Sequence, residues 1–180
     1  MLRITVPAGE LWDEEAERFI STKEQTLQLE HSLVSLSKWE SKWHKPFLSQ
    51  KQKTREETLD YIKCMTITQN VDPNVYNRLT EANFQEIDEY IDNPMTATTF
   101  SEDKSAKKKK EIITAELIYY WMIALNIPFE CQKWHLNKLI TLVRVCNVKN
   151  EPPKKGKKSD TMRRYAELNA ANRKRFNSKG

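Results

Sequence analysis

Cys131 and His135 stand four residues apart in a stretch that reads as helix, so both side chains fall on one face, within reach of one metal ion. Zinc needs three or four ligands, and no second Cys/His pair occurs at a usable spacing. An ordinary buried thiol beside a hydrogen-bonded histidine is therefore the expectation. The three histidines, His31, His44 and His135, lie in dissimilar local contexts, which suggests no shared catalytic base. Serines and carboxylates are plentiful, yet no G-x-S-x-G elbow singles one out as a nucleophile held beside a base. The three glycines, Gly9, Gly156 and Gly180, leave no Walker loop and no dinucleotide fingerprint. Glu116 falls among Ile112, Ile113, Leu117 and Ile118, where an ionised carboxylate is costly to bury without a partner. It reads either as such an acid or, more simply, as a residue at the edge of the apolar face. No catalytic residue, cofactor or metal site is expected, and a non-enzymatic protein is.

Residues suited to holding a partner are easier to name. Trp39 and Trp43 are four apart, and Trp121 and Trp134 flank a turn. Each carries a large contact area with one polar handle, as core anchors or as interface hot spots. Lys38, Lys42 and Lys45 accompany the first pair, which also permits stacking on single-stranded nucleic acid. Lys154, Lys155, Lys157, Lys158, Arg163, Arg164, Arg173, Lys174 and Arg175 form a second candidate surface. That much positive charge suits a solvated tether, an acidic protein partner or phosphate binding with steep salt dependence.

The elements that must position these residues are mainly helical. The chain has 180 residues and 21.3 kDa, room for one ordinary domain plus an appendage. Glycine scarcity argues against a many-stranded barrel or sandwich, whose hairpins need positive φ. Ile112 to Phe129, the longest apolar stretch, is interrupted by Glu116 and closed by Asn126 and Pro128, short of the roughly 20 residues of a bilayer span. A soluble chain is expected. The N-terminus lacks the apolar core of a signal peptide, and an odd set of three cysteines points to reduced thiols in a cytoplasm. Charge divides unevenly: ten Lys/Arg stand against three Asp/Glu from Glu151 to Gly180, and 20 against 22 before it. The basic excess belongs wholly to the tail.

Along the chain, Leu2 to Val6 alternates like a short strand, and Glu10 to Ile20 reads as an acidic helical turn or two. From Leu29, the residues Leu33, Leu36 and Trp43 approach helical spacing, with period two left open over 27-44. Thr54 and Glu57 form a capping box for a helix through Thr66. Asp72-Pro73 opens a brief helix over Asn74 to Leu79, and Thr80 caps one carrying Phe84, Ile87, Tyr90 and Ile91. Met95 to Lys110 reads as a solvated loop. Ile112 to Leu125 and Phe129 to Val148, joined by Asn126-Ile127-Pro128, are predicted to pack as an antiparallel helical hairpin. Its core candidates are Leu117, Ile118, Trp121, Met122, Leu136, Leu139, Ile140, Leu142 and Val143. The expected fold is mainly α: a compact helical body over 1-150 around this C-terminal hairpin, with a short N-terminal β element. A basic linker over 151-159 and a basic C-terminal helix or tail over 160-180 follow.

Several stretches resemble a family of small proteins of tailed bacteriophages, the tail assembly chaperones. They are Leu29-Glu30-His31-Ser32-Leu33, Ser37-Lys38-Trp39-Glu40-Ser41-Lys42-Trp43, Pro94-Met95-Thr96-Ala97-Thr98-Thr99-Phe100, Thr114-Ala115-Glu116 with Tyr119-Tyr120-Trp121-Met122, Ile127-Pro128-Phe129-Glu130-Cys131, Trp134-His135-Leu136-Asn137 and Glu167-Leu168-Asn169-Ala170-Ala171. The likeness spans Leu29 to Gly180 and contains no catalytic motif. It implies a non-enzymatic factor of the infected host's bacterial cytoplasm that coats the tape-measure protein while tube subunits polymerise, and is absent from the mature virion. Implied partners are the tape-measure protein, the tail tube subunit and further copies of the chain, with no membrane. Many such phages also make a longer form by ribosomal frameshifting, and Lys107 to Lys110 fits a slippery adenine run. Nucleic-acid binding through the basic tail, or a minor structural role in the virion neck or tail, are the competing readings.

Overall fold

The computed structural model describes residues 1–13, 17–49, 52–100, 112–150 and 158–176. It is mostly helical with a small N-terminal β portion, and divides into two units, Met1–Cys146 and Asn147–Gly180.

The first unit opens with four strands: β1 (Leu2–Val6), β2 (Gly9–Asp13), β3 (Arg18–Thr22) and β4 (Gln25–Leu29). β1 pairs antiparallel with β4, placing Ile4 opposite Leu27, and β2 pairs with β3 as an antiparallel hairpin between them. Alternation on β1 and β4 turns Ile4, Val6, Leu27 and Leu29 inward, where all four are buried. The strand expected over Leu2 to Val6 is present. The helix expected over Glu10 to Ile20 is not: Trp12 pairs with Phe19 across two strands, a cross-strand contact that local helical spacing cannot reveal. Residues 14–16 of that segment lie outside the described residues.

Over 27-44 both periodicities are real, one after the other. The period-two run belongs to β4 and ends at Leu29. α1 (Leu33–Trp43) begins at a capping box in which the Ser32 hydroxyl accepts from the Ser35 N–H and the Ser35 hydroxyl accepts from the Ser32 N–H. His44 closes α1 in the left-handed region, at φ 53°. α2 (Arg55–Met65) starts at the predicted Thr54/Glu57 capping box. Pro73–Arg78, capped by Asp72, is a 3-10 turn rather than an α-helix. α3 (Glu81–Asp92) starts at Thr80, as expected, and packs on β1. The outer edge of β4 is covered by the chain leaving α2: the Ile67 N–H donates to Gln28 O at 2.8 Å and the Glu30 N–H to Met65 O at 2.9 Å.

α4 (Ala115–Ala124) is capped by Thr114 and takes α1 as its packing partner. The single helix predicted over Phe129 to Val148 is divided: Phe129–Lys133 is a 3-10 turn, and α5 (Leu136–Asn150) starts seven residues later than predicted. The break has a physical cause. The backbone at His135 forms a bridge with Ser32, and the Leu136 N–H donates to His31 O at 2.7 Å, so these residues are held by the start of α1. The hairpin expectation ignored this intervening turn. Its core candidates fare better: Ile118, Met122, Leu136, Leu139 and Val143 are buried, and Trp121, Ile140 and Leu142 pack against them. They join Leu33, Leu36, Trp39, Ile62, Met65 and Ile87 in one core, where each large aliphatic contributes about 1.5–3 kcal/mol by leaving water.

The second unit holds α6 (Lys158–Phe176), and each described side chain from Met162 to Phe176 is exposed. The linker lysines Lys154, Lys155 and Lys157, the Lys107 to Lys110 run and the terminal residues 177–180 lie outside the described residues. Among the described residues no helix is long and apolar enough to cross a membrane.

Candidate partner-binding site

The four tryptophans named from the sequence separate by burial. Trp39 has no exposed surface; its Nε1–H donates to Glu57 O at 2.9 Å, and Phe47 meets its ring edge-on at 5.0 Å. It anchors the α1–α2 interface and offers neither a hot spot nor a stacking platform to a partner. Trp43 is half-buried, with its Nε1–H donating to Asp60 Oδ2 at 2.9 Å. The lysines around it are engaged with acids: Lys42 with Asp60, and Lys45 with Glu57 at 2.6 Å. Trp121 is half-buried against the core. Trp134 alone of the four is exposed, at 39%, with Lys138 Nζ 4.5 Å from its ring centre.

Of the two readings of Glu116, the simpler one holds, a residue at the edge of the apolar face. Glu116 is exposed. Glu40, Glu57 and Asp60 are the buried acids among the described residues; Glu40 Oε1 accepts from the Phe47 N–H at 2.8 Å and its Oε2 accepts from the Ala115 N–H at 2.7 Å. One side chain of α1 thus holds both the loop behind Pro46 and the first turn of α4, where a negative charge is favoured. The open cleft beside it, lined by His44, Lys45, Ile112, Thr114 and Glu116, faces a carboxylate already committed to two backbone donors.

Two histidines that looked unrelated in sequence meet in the interior. The His31 and His135 rings lie 5.1 Å apart, and both residues are buried. Tyr61 Oη and His31 Nδ1 share a 2.6 Å hydrogen bond. His135 Nε2 lies 3.0 Å from Tyr90 O. A carbonyl only accepts, so Nε2 carries the hydrogen, and the buried Nδ1 has no partner. Burial, then repulsion from His135, lowers the His31 pKa to about 3; burial also lowers that of His135, opposed by the bond to Tyr90 and by nearby Glu30. Both rings are neutral at pH 7. Cys131 is buried nearby in sequence, with its thiol pushed up by burial, but among the described residues no three His, Cys, Asp or Glu side chains converge as metal ligands.

What the described surface offers a partner is apolar. α4 buries Ala115, Ile118 and Met122 and turns Glu116, Tyr120 and Ile123 outward, with Tyr120 63% and Ile123 61% exposed. Just beyond α4, Phe129 stacks on Tyr119 and is itself 53% exposed. The β2–β3 hairpin exposes Trp12 and Phe19 as an edge-on pair 5.0 Å apart. On α6, Met162, Tyr165, Leu168 and Phe176 are exposed among Arg163, Arg164, Arg173, Lys174 and Arg175, all of them exposed as well; Lys158 lies at its first position. The sequence reading missed Trp12 by placing it on a helix, and it named only the core side of α4, leaving its outer face unremarked. The signal for the second was present: Glu116, Tyr120 and Ile123 recur at four and three residues, one helical face with an acid at its head.

Compared with protein-family models, with curated proteins and with solved structures, the chain matches none.

Proposed function

We propose that the chain is a tail assembly chaperone of a tailed bacteriophage, a non-enzymatic factor that binds the tape-measure protein and keeps it soluble while the tail tube assembles. Its setting in this reading is the host bacterial cytoplasm, with no place in the mature virion. The resemblance of the stretches between Leu29 and Gly180 to that family is the starting point. The observation that carries the reading on to the geometry is the outer face of α4: Tyr120 and Ile123 stand exposed one turn apart on a helix whose opposite face is fully committed to the core. Such a face suits helix-on-helix capture, and a tape-measure protein is a long helix with apolar stripes to cover. The helical body, with the Ile112 to Val148 region at its centre, would carry the cargo, and the basic extension would be a separate arm.

Co-expression tests it. With the tape-measure protein of the same phage, this chain should raise the soluble fraction and co-purify; unchanged solubility without co-purification contradicts the proposal. A second reading is favoured by one observation, the exposed Arg163, Arg164, Arg173, Lys174 and Arg175 of α6. Were α6 a nucleic-acid grip, anisotropy with DNA or RNA would show binding that falls steeply with salt and vanishes on deleting Glu151 to Gly180. Recovery of the chain in purified particles at stoichiometric amounts would instead make it a structural component of the neck or tail.

A further inference from the structure

Two exposed surfaces of this chain are unlike in charge and alike in exposing aromatic side chains. The hairpin segment, residues 9–22, holds five Asp/Glu (Glu10, Asp13, Glu14, Glu15, Glu17) against Arg18 alone. Trp12 and Phe19 stand opposite each other in its register, 53% and 66% exposed. The base of this hairpin is tied down: Thr22 Oγ1–H donates to Gly9 O at 2.9 Å, and Arg78 Nη1 donates to Thr22 O at 3.3 Å. Its base is thus held, and its sequence sets the aromatic pair among acids. α6 holds six Lys/Arg against two Asp/Glu. Met162, Tyr165 and Phe176, offset by three and eleven residues, fall within about 60° of one another around the helix axis, and their exposure runs from 63% to 74%.

We propose that the Trp12–Phe19 hairpin of one copy docks on α6 of a second copy, joining copies head to tail. Neither surface suits itself, because acidic hairpins repel one another and so do basic helices. Unlike charge brings the hairpin to α6, and the aromatic pair covers Met162 and Tyr165, one turn apart, the arrangement in which buried aromatic and arginine contacts dominate an interface. Since the two surfaces are different patches, each joined copy still presents one free hairpin or one free helix, so association continues into a ring or a short filament. This contact uses neither Tyr120 nor Ile123, and it stands or falls separately from the identity of the cargo.

Sedimentation velocity of the full chain, nuclease-treated, over a protein concentration series at low and high salt provides the test. The expected result is a set of species larger than the monomer that grow with concentration and shrink with salt. Trp12→Ser with Phe19→Ser, and separately Met162→Ser with Tyr165→Ser, should each weaken association about tenfold or more, the loss of one to two anchor side chains. Unchanged circular dichroism establishes that each variant is folded. Mixing the two variants is the discriminating arm: one retains an intact α6 and the other an intact hairpin, so they should form a capped heterodimer and nothing larger. A monomer at every concentration, as a contact closed within one chain or a hairpin without affinity would give, overturns the proposal. So does association that both folded variants retain, or association that disappears with nuclease alone.

Discussion

The His31 and His135 rings sit edge-on with centroids 5.1 Å apart, joining the residue before the N-cap of α1 to the residue before α5. Around them are Tyr61, Tyr90 and Glu30, the last bonded to Tyr90 Oη at 2.7 Å and paired with the chain's amino terminus at 3.1 Å. A proton on either ring would be a buried charge beside a second imidazole. The folded-state pKa of His31, about 3, lies below its unfolded value of about 6.5, so the unfolded chain binds the proton more readily. The stabilisation is complete above pH 6.5 and is lost as pH falls toward 3, approaching about 1.4 kcal/mol per pH unit for this one group. Urea unfolding between pH 6.5 and 5, above the range where most carboxylates titrate, should show this slope. A His31→Gln variant should show it reduced by about one proton.

Glu40 gives a second expectation. Its two oxygens accept from the Phe47 and Ala115 N–H groups. Glu40→Ala should cost about 3 kcal/mol or more in urea unfolding, because two buried donors are left unpaired and a charge-assisted bond is worth about 1.5–3 kcal/mol. Glu40→Gln, which keeps one acceptor oxygen, should cost about half as much.

The tryptophans should divide the same way. Trp39→Ala opens a cavity in a fully buried site and should cost about 3–5 kcal/mol, whereas Trp134→Ala, on a residue 39% exposed and outside the core cluster, should cost clearly less, about 1–2 kcal/mol. Trp43→Phe keeps one aromatic ring but removes the pyrrole part with its donor to Asp60 Oδ2, a loss of about 1 kcal/mol from the bond and more from packing. Thermal unfolding of the three variants beside the parent measures all of these.

Local chemistry was legible from the residues and long-range chemistry was not. Thr54 with Glu57, Asp72 with Pro73, and Thr80 announce helix starts because each cap satisfies amides within three residues of itself. The strand Leu2–Val6 shows in its own alternation. By contrast Trp12 gains meaning only from Phe19 across the hairpin, and acidic residues between them mimic a helix start. His31 and His135 are 104 positions apart in the numbering, and only the folded chain shows that the backbone at His135 bridges to Ser32. Glu40 looked like one more polar residue of α1, while Glu116, among apolar neighbours, drew attention; the helix turns Glu116 outward and lets Glu40 reach the next helix. The outer face of α4 escaped notice for a related reason, since an apolar run predicts burial without saying which face finds a partner within the chain.

The most direct test of the chaperone reading is the soluble yield of the tape-measure protein co-expressed with the parent chain and with a Tyr120→Lys/Ile123→Lys variant. Both substitutions lie on the exposed face of α4, so the variant should keep the parent's circular dichroism and thermal midpoint. The account predicts that the parent raises the soluble yield and co-purifies with the tape-measure protein, and that the folded variant does neither. A folded variant that solubilises it as well as the parent, or a parent that leaves the yield unchanged, would contradict the account.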